Sequence, residues 1–480
     1  MSTSLEGIPL RCFQGVVPST IATADVNGVP NITYLSHVFR IDDTHVALSC
    51  QFFNKTKANV LANPYATVDL LDPATLETYR LELRYDHAET SGALFDTMSM
   101  RIDAIASHTG MRGIFRLISS DVYEVISVEY REGVIDHALQ LPETPVEPRS
   151  ISEIRNLQLV TQRMCGATCL EEVMNAALST LDEAFGFEHS MMLMLDETQT
   201  KLYTIATRGY EEEGIGAEIA IGEGLMGMVA REKRVLRMSD VEAELRYGRA
   251  IRASMQKTRA RRDMLPEIPL AGLADAQSHM AMPLKIGDRM LGVLAVESRS
   301  PLAFDEWDET YIEIIGNQVA IMIDNMLLRH RESEATAAEG ASRTAAAPQL
   351  ETKTSARAAP AEAARPDVAA KPKKRFRFFK NDDCIFVDDE YLIRNVPARI
   401  LWRVLREHQS SGRTEFTNRE LRLDPWLGLP PLRDNLESRL VLLRKRLADK
   451  CPTLRLESTD RGRFHLEIGC SVDLEERESA

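Results

Sequence analysis

"HMAMPLKIGDRMLGVLAVES", His279 to Ser298, sets runs of Met, Leu, Val and Ala on either side of a glycine turn. The second run, and "SMMLMLD" (Ser190 to Asp196) before it, read as sheet-core strands, with Gly287 and Gly292 as turn residues. Upstream, Thr168 and Glu171 form a capping box, since a Thr hydroxyl and a Glu three residues on can satisfy each other's orphan amides. The helix that follows carries Leu170, Val173, Ala177 and Leu181 as an apolar stripe. These pieces predict an antiparallel sheet with helices on one side.

Two flanking stretches extend the pattern: "IAIGEGLMGMVAREKRVLRMSDV" (Ile219 to Val241) and "FDEWDETYIEIIGNQVAIMIDNMLL" (Phe304 to Leu328). Together, residues 155 to 328 resemble a GAF domain along nearly its whole length. The resemblance implies a small-ligand pocket over the sheet, or a dimerisation platform. The long insert before His279 holds "RYGRAIRASMQKTRARR" (Arg246 to Arg262), whose seven basic residues suit either an anionic ligand or a solvated helix face. Trp307, Tyr311, Ile314, Ile315, Gln318, Ile321, Met322 and Asn325 draw a seam at helical spacing, and Ile151, Ile154, Leu157 and Val160 supply a second. Such helices pair across a homodimer or pack on their own sheet. His189 and His279 are isolated and read as structural. Cys165 and Cys169 lack a nearby second pair of ligands, so no metal is assigned.

At the N-terminus, "STIATADVNGVPNITYLS" alternates as two strands about an Asn27-Gly28 turn, and "HVALSCQFF" and "ATVDLLD" add further strands around the short helix "TKANVLANP". Residues 13 to 130 resemble the split barrel of pyridoxamine-phosphate oxidase-like flavin proteins. The resemblance implies FMN, with its phosphate held by Asn54, Lys55, Thr56 and Lys57 through ammonium and hydroxyl groups. It assigns no catalytic residue, and the substrate residues of a true oxidase are not recognisable.

The C-terminal part holds "NLESRLVLLRKRL" (Asn435 to Leu447) and the Gly-tipped hairpin "TDRGRFHLEI" (Thr459 to Ile468). Leu436, Leu440, Leu443 and Leu447 would bury one helix face and leave Arg439 and Lys445 available on others. Before them come "CIFVDDEYLIRNVP", two short strands with an acidic turn, the helix "ARILWRVLREH", and a Thr417–Glu420 capping box. Residues 384 to 468 resemble the winged-helix output domain of response-regulator transcription factors. That resemblance implies DNA contacts by Arg433, Asn435, Arg439 and Lys445, with Arg439 aimed at the major groove, and by Arg461 and Arg463 on the wing.

Length and charge agree with several modules. The 480 residues suggest about three domains. No apolar stretch approaches the ~20 residues that span a bilayer, and the seven cysteines are scattered as in a reduced compartment, so a cytoplasmic protein is expected. Residues 371–480 carry 23 Lys+Arg against 19 Asp+Glu, whereas residues 1–370 carry 35 against 53. Only the C-terminal part suits a polyanion, and "KPKKRFRFFK" (Lys371 to Lys380) could track phosphates or form a solvated linker end.

The expected fold class is multidomain α+β. It comprises an FMN-binding-type split barrel (1–135), a GAF α/β sandwich with an antiparallel sheet (150–330), a disordered Ala/Pro-rich linker (331–372) and a winged helix-turn-helix (373–475). The expected function is a bacterial one-component transcriptional regulator, a homodimer that senses a small molecule or redox state and binds DNA. The alternatives are a flavin-dependent oxidoreductase with accessory modules and a signalling scaffold whose winged helix contacts protein.

Overall fold

The computed structural model describes residues 4–132, 151–344 and 372–478, apart from 36, 52–53, 168, 197, 211–213, 258–263, 382, 428, 430–435 and 461. The Thr168 cap and the sites expected at Arg433, Asn435 and Arg461 lie outside the described residues, as does the linker from 345 to 371. No described helix is long and apolar enough to cross a membrane.

The N-terminal region runs β1 (Ser19–Ala24), β2 (Pro30–Leu35), β3 (Val38–Arg40), β4 (His45–Cys50), α1 (Asn54–Ala62), β5 (Tyr65–Leu71), β6 (Thr78–Glu89), α2 (Ala93–His108) and β7 (Ser119–Arg131). Its seven strands form one antiparallel sheet in the order β2-β1-β5-β6-β7-β4-β3. The Asn27-Gly28 turn joins β1 to β2, with Gly28 at φ +79°. Alternate residues of these strands, among them Ile21, Val46, Leu48, Val68, Leu70, Leu81 and Leu83, close on a common core.

The second region runs α3 (Ile151–Cys165), α4 (Leu170–Phe185), β8 (His189–Leu195), β9 (Lys201–Arg208), β10 (Glu218–Ala220), α5 (Gly224–Glu232), β11 (Leu236–Met238), α6 (Val241–Lys257), β12 (Ser278–Ile286), β13 (Arg289–Ser298) and α7 (Glu306–Thr344). The strand order is β10-β9-β8-β13-β12-β11, antiparallel throughout. Strand β8 is buried at every position, because helices cover both faces of the sheet. On one face Ala281 and Val293 join the side of α5. On the other, Met282 lies against α7, where a Cβ at Gly316 would fall 2.0 Å from the Met282 sulfur.

The two regions share a hydrophobic core. Helix α2 of the first contributes Met98, Met100, Ile102 and Ile105, followed by Met111 and Phe115, to one cluster with Leu225, Met226, Val229, Val241 and Leu245 of the second. Each such side chain contributes about 1.5–3 kcal/mol on burial, so two modules expected to fold side by side are joined by a core cluster of their own, beside the separate core of the first sheet. Helix α7 also continues through Thr344, into the segment expected as a linker. The Ala and Glu content of that stretch explains the extension, since both are strong helix formers.

The C-terminal unit runs β14 (Lys373–Phe379), β15 (Cys384–Val387), β16 (Glu390–Arg394), α8 (Asn395–Ser411), β17 (Glu415–Thr417), α9 (Asn418–Leu423), α10 (Leu436–Lys450), β18 (Leu454–Asp460), β19 (Arg463–Ile468) and β20 (Ser471–Arg477). Its sheets are ordered β16-β15-β14-β20, with β14 and β20 parallel, and β17-β19-β18. Trp402 of α8 stacks on Phe378 of β14 at 5.3 Å. The Thr417 hydroxyl caps α9 by accepting from the Glu420 amide at 3.2 Å, while the Glu420 carboxylate turns to Arg413.

Two expectations for this unit are corrected. The basic run is an internal strand: Phe376, Phe378 and Phe379 are buried, Lys374 pairs with Asp388 at 2.7 Å, Lys373 with Asp473 at 3.1 Å, and Arg377 with Asp389. Alternation of aromatic and basic residues is strand patterning, and Lys373, Lys374 and Arg377 are matched by nearby acids. In α10, Arg439 is only 7% exposed, and Ser438, Val441 and Leu442 are buried with the leucine stripe. Four consecutive apolar residues, Leu440 to Leu443, sweep most of the way around a helix, so this helix buries far more than one face. Arg439 therefore does not project toward a groove.

Candidate ligand pocket

A pocket with polar groups in its lining lies at the N-terminal end of α5. It encloses about 190 Å³ between β10, α5, the 268–271 loop and the sheet positions His279 and Glu297. His279 and Glu297 are cross-strand partners in the β12–β13 register, both only 2% exposed. Glu297 Oε1 lies 3.3 Å from His279 Nδ1, and Oε2 accepts from the Tyr210 hydroxyl at 3.0 Å and the Leu273 amide at 2.8 Å. Burial and the adjacent Glu297 carboxylate push the Tyr210 phenol up, so it remains a donor. His279 Nε2 is buried without a protein partner.

The first module closes the other side. Helix α2 ends in a Schellman motif, with Met111 N–H donating to Ala106 O, Gly110 N–H donating to Ser107 O, and Gly110 at φ +66°. This sharp stop sets Ser107 and His108 against the start of α5. The Gly224 amide donates to Ser107 Oγ at 3.0 Å, and the Leu225 amide to His108 Nε2 at 3.2 Å. His108 Nδ1 lies 2.9 Å from the Ile268 carbonyl and donates to it, which fixes the neutral tautomer. The orphan amides of α5 are thus capped from another module, since Glu223 at its own N-cap makes no side-chain cap bond.

Burial pushes the His108 imidazole down from its ordinary range, and protonation would put an N–H against the Leu225 N–H. A depressed folded-state pKa gives stability that is complete above the unfolded value of about 6.5 and is lost as pH falls toward the folded value. The full chain should therefore lose melting temperature between pH 7.5 and 5.5. The loss should be smaller in His108→Asn; equal slopes would show that His108 is not the titrating group.

A larger cavity of about 420 Å³ also lies between α2 and the β11–α6 edge. Two of its three arginines are matched internally, Arg101 by Glu244 and Arg237 by Glu306 and Glu309 at 2.7 and 2.8 Å, and Arg40 pairs with Asp43 outside the lining. It forms the seam of the shared interior.

The residues expected to hold a flavin phosphate do not form an anion site. Lys57 Nζ donates to Asp121 at 2.7 Å and to the Tyr85 hydroxyl at 3.0 Å. Thr56 is buried and accepts from Asn31 Nδ2 at 2.9 Å, which leaves Lys55 as the exposed cation; Asn54 begins α1. A phosphate would have to stand beside the buried Asp121 carboxylate, so the set does not fit FMN and no step is derived through it. Lys57→Ala is expected to cost about 2 kcal/mol, below the 3–5 of a fully buried pair because Lys57 is part-exposed. Denaturant melts check this, and an unchanged midpoint would contradict it.

The basic insert does not line the pocket either: Arg246 pairs with Glu242 at 3.0 Å, Arg249 with Glu267 at 3.1 Å, and Arg252 donates to the Thr109 carbonyl. On the C-terminal unit Arg463 is exposed and Lys445 half-buried. Among the described residues, no group of three or more His, Cys, Asp or Glu is arranged to hold a metal ion. Ser107, His108, Tyr210 and Glu297 escaped the sequence reading. The available signal was Glu297 itself, a carboxylate ending an otherwise apolar strand directly across from His279.

Residues 167–324, which supply this sheet and the α5 side of the pocket, match the GAF domain family model. No curated protein matches the chain. Among solved structures, the chain is similar to the GAF domain from an Acinetobacter phosphoenolpyruvate-protein phosphotransferase, at 18% identity over 37% of this chain and 95% of that one, with a TM-score of 0.29. It is similar to free methionine-R-sulfoxide reductase from Neisseria meningitidis in complex with its substrate, at 17% identity over 40% and 99%, TM-score 0.30. An FMN-binding protein from Syntrophomonas wolfei subsp. wolfei is 19% identical over 27% and 88%, TM-score 0.23.

Proposed function

We propose that this chain is a cytoplasmic, homodimeric one-component regulator whose GAF pocket senses a small molecule and whose C-terminal unit binds DNA. One observation carries the sensing half. A pocket lined by His279 has that residue's buried, unpartnered imidazole nitrogen in its lining, and part of its wall belongs to a neighbouring module. Occupancy there would bear on the contacts that join α2 to α5, so a ligand with different affinity for two arrangements of that joint would shift their populations.

The output half is supported by the order of elements in the C-terminal unit, three helices and then the β18–β19 hairpin, the arrangement of a winged helix. Arg463 on that hairpin is exposed and suited to phosphate. Arg463→Ala should weaken binding to all duplex sequences alike and lower the salt slope by about one. Absence of any anisotropy change on duplex DNA at low salt would instead favour the protein-contact reading, toward which the burial of Arg439 points.

Dimerisation is supported by α7. Trp307, Ile314, Ile321 and Leu328 are exposed and stand seven residues apart, an apolar stripe of coiled-coil spacing. Ile314→Asp with Ile321→Asp should convert a dimer to a monomer by light scattering. A wild-type chain that is monomeric at micromolar concentration would remove this part of the proposal.

A further inference from the structure

We infer that the pocket takes a small amine, an N–H donor on an apolar tail of a few carbons; this rests on the sensor reading and names its ligand class. Three observations converge on it. The first is the direction of the His279–Glu297 pair. In the neutral ring the proton facing the carboxylate sits on Nδ1, 3.3 Å from Oε1, which leaves Nε2 as an acceptor. Both Glu297 oxygens already have protein neighbours, whereas Nε2 has none, so with the ring proton on Nδ1 a group that brings a hydrogen completes the floor.

The second observation removes the anion alternative. Amides at a helix start favour a carboxylate or phosphate, but those of Gly224 and Leu225 are taken by Ser107 Oγ and His108 Nε2. The third is the charge of the lining. Its charged side chains are Glu218, Glu223 and Glu297, and none of the thirteen lining residues is Lys or Arg. Glu218 pairs with Lys201 at 2.9 Å and Glu223 sits 3.8 Å from Arg112, so these two carboxylates have cationic neighbours outside the lining, while the lining itself holds carboxylates and no cation. Ile219, Leu225, Met226 and Leu270 supply an apolar wall around a cavity of about 190 Å³. That space suits a four- or five-carbon tail.

The test titrates the full chain with n-butylammonium chloride, butan-1-ol and sodium butyrate, read by calorimetry and by the 13C-methyl resonance of Met226. Butylammonium should shift Met226 saturably and bind at least tenfold more tightly than the alcohol or the carboxylate. Ala271→Trp, which fills the pocket, should abolish the shift, and Glu297→Gln should weaken binding about tenfold. Equal or tighter binding of butyrate or butanol to wild type would overturn the amine class and leave the sensor reading standing. A butylammonium shift that survives in Ala271→Trp would place the amine elsewhere and overturn the assignment. If no probe of any charge moves Met226, both the class and the sensor reading fall.

Discussion

Gly110→Ala is expected to lower the melting temperature of the full chain by about 5–10 °C, from a loss of about 3–5 kcal/mol. Gly110 closes α2 at φ +66°, where an L side chain costs about 1–2 kcal/mol. The larger part is steric. An added Cβ would lie 2.1 Å from the Leu265 carbonyl oxygen and 2.9 Å from its carbon. That carbonyl cannot retreat alone, because Leu265 N–H donates to Gly110 O and Ile268 N–H to His108 O, each at 2.9 Å. The 265–268 segment would have to leave the end of α2 and take the Ile268 carbonyl away from His108 Nδ1. Gly28→Ala is the control: φ is +79°, but nothing lies within 4 Å of the new Cβ. It should cost only the conformational part. Equal losses in the two variants would show that the joint between the modules is not close-packed.

Glu297→Ala should cost about 3–5 kcal/mol, the range for removing one partner of a buried polar set. It strands the Tyr210 hydroxyl, the Leu273 amide and His279 Nδ1 at once, each a buried donor whose desolvation is no longer offset. Glu297→Gln keeps one carbonyl oxygen as acceptor and should recover about half of the loss. Circular dichroism melts of both variants decide the matter. A Gln variant no better than Ala would mean that negative charge, rather than acceptor capacity, holds the site together.

The parts of this fold that were legible in the sequence are those governed by local pattern. The apolar runs around Ser190–Asp196 and Arg289–Ser298 became β8 and β13, Asn27-Gly28 became a hairpin turn, and Thr417 became the cap of α9. What was not legible depends on residues far apart in the chain. Helix α2 has an apolar face suited to its own sheet, and nothing in its sequence says that Met98, Ile102 and Ile105 pack with α5 and α6. His108 and Leu225 are 117 positions apart, so neither could be read as half of a pocket. Lys57 has the right chemistry for a phosphate, and only the fold brings Asp121 to it. Arg439 failed for a local reason that was available: Leu440 to Leu443 left no solvent face beside it.

The central claim is that the GAF pocket, walled by the end of α2, is a small-molecule site coupled to the first module. Hydrogen exchange by mass spectrometry on the full chain, with and without a protein-free bacterial extract of compounds below 1 kDa, tests it most directly. Slower exchange should appear together in three segments: 105–111, 218–227 and 268–273. Protection elsewhere with none in these segments, or protection of 218–227 and 268–273 that leaves 105–111 unchanged, would contradict the account.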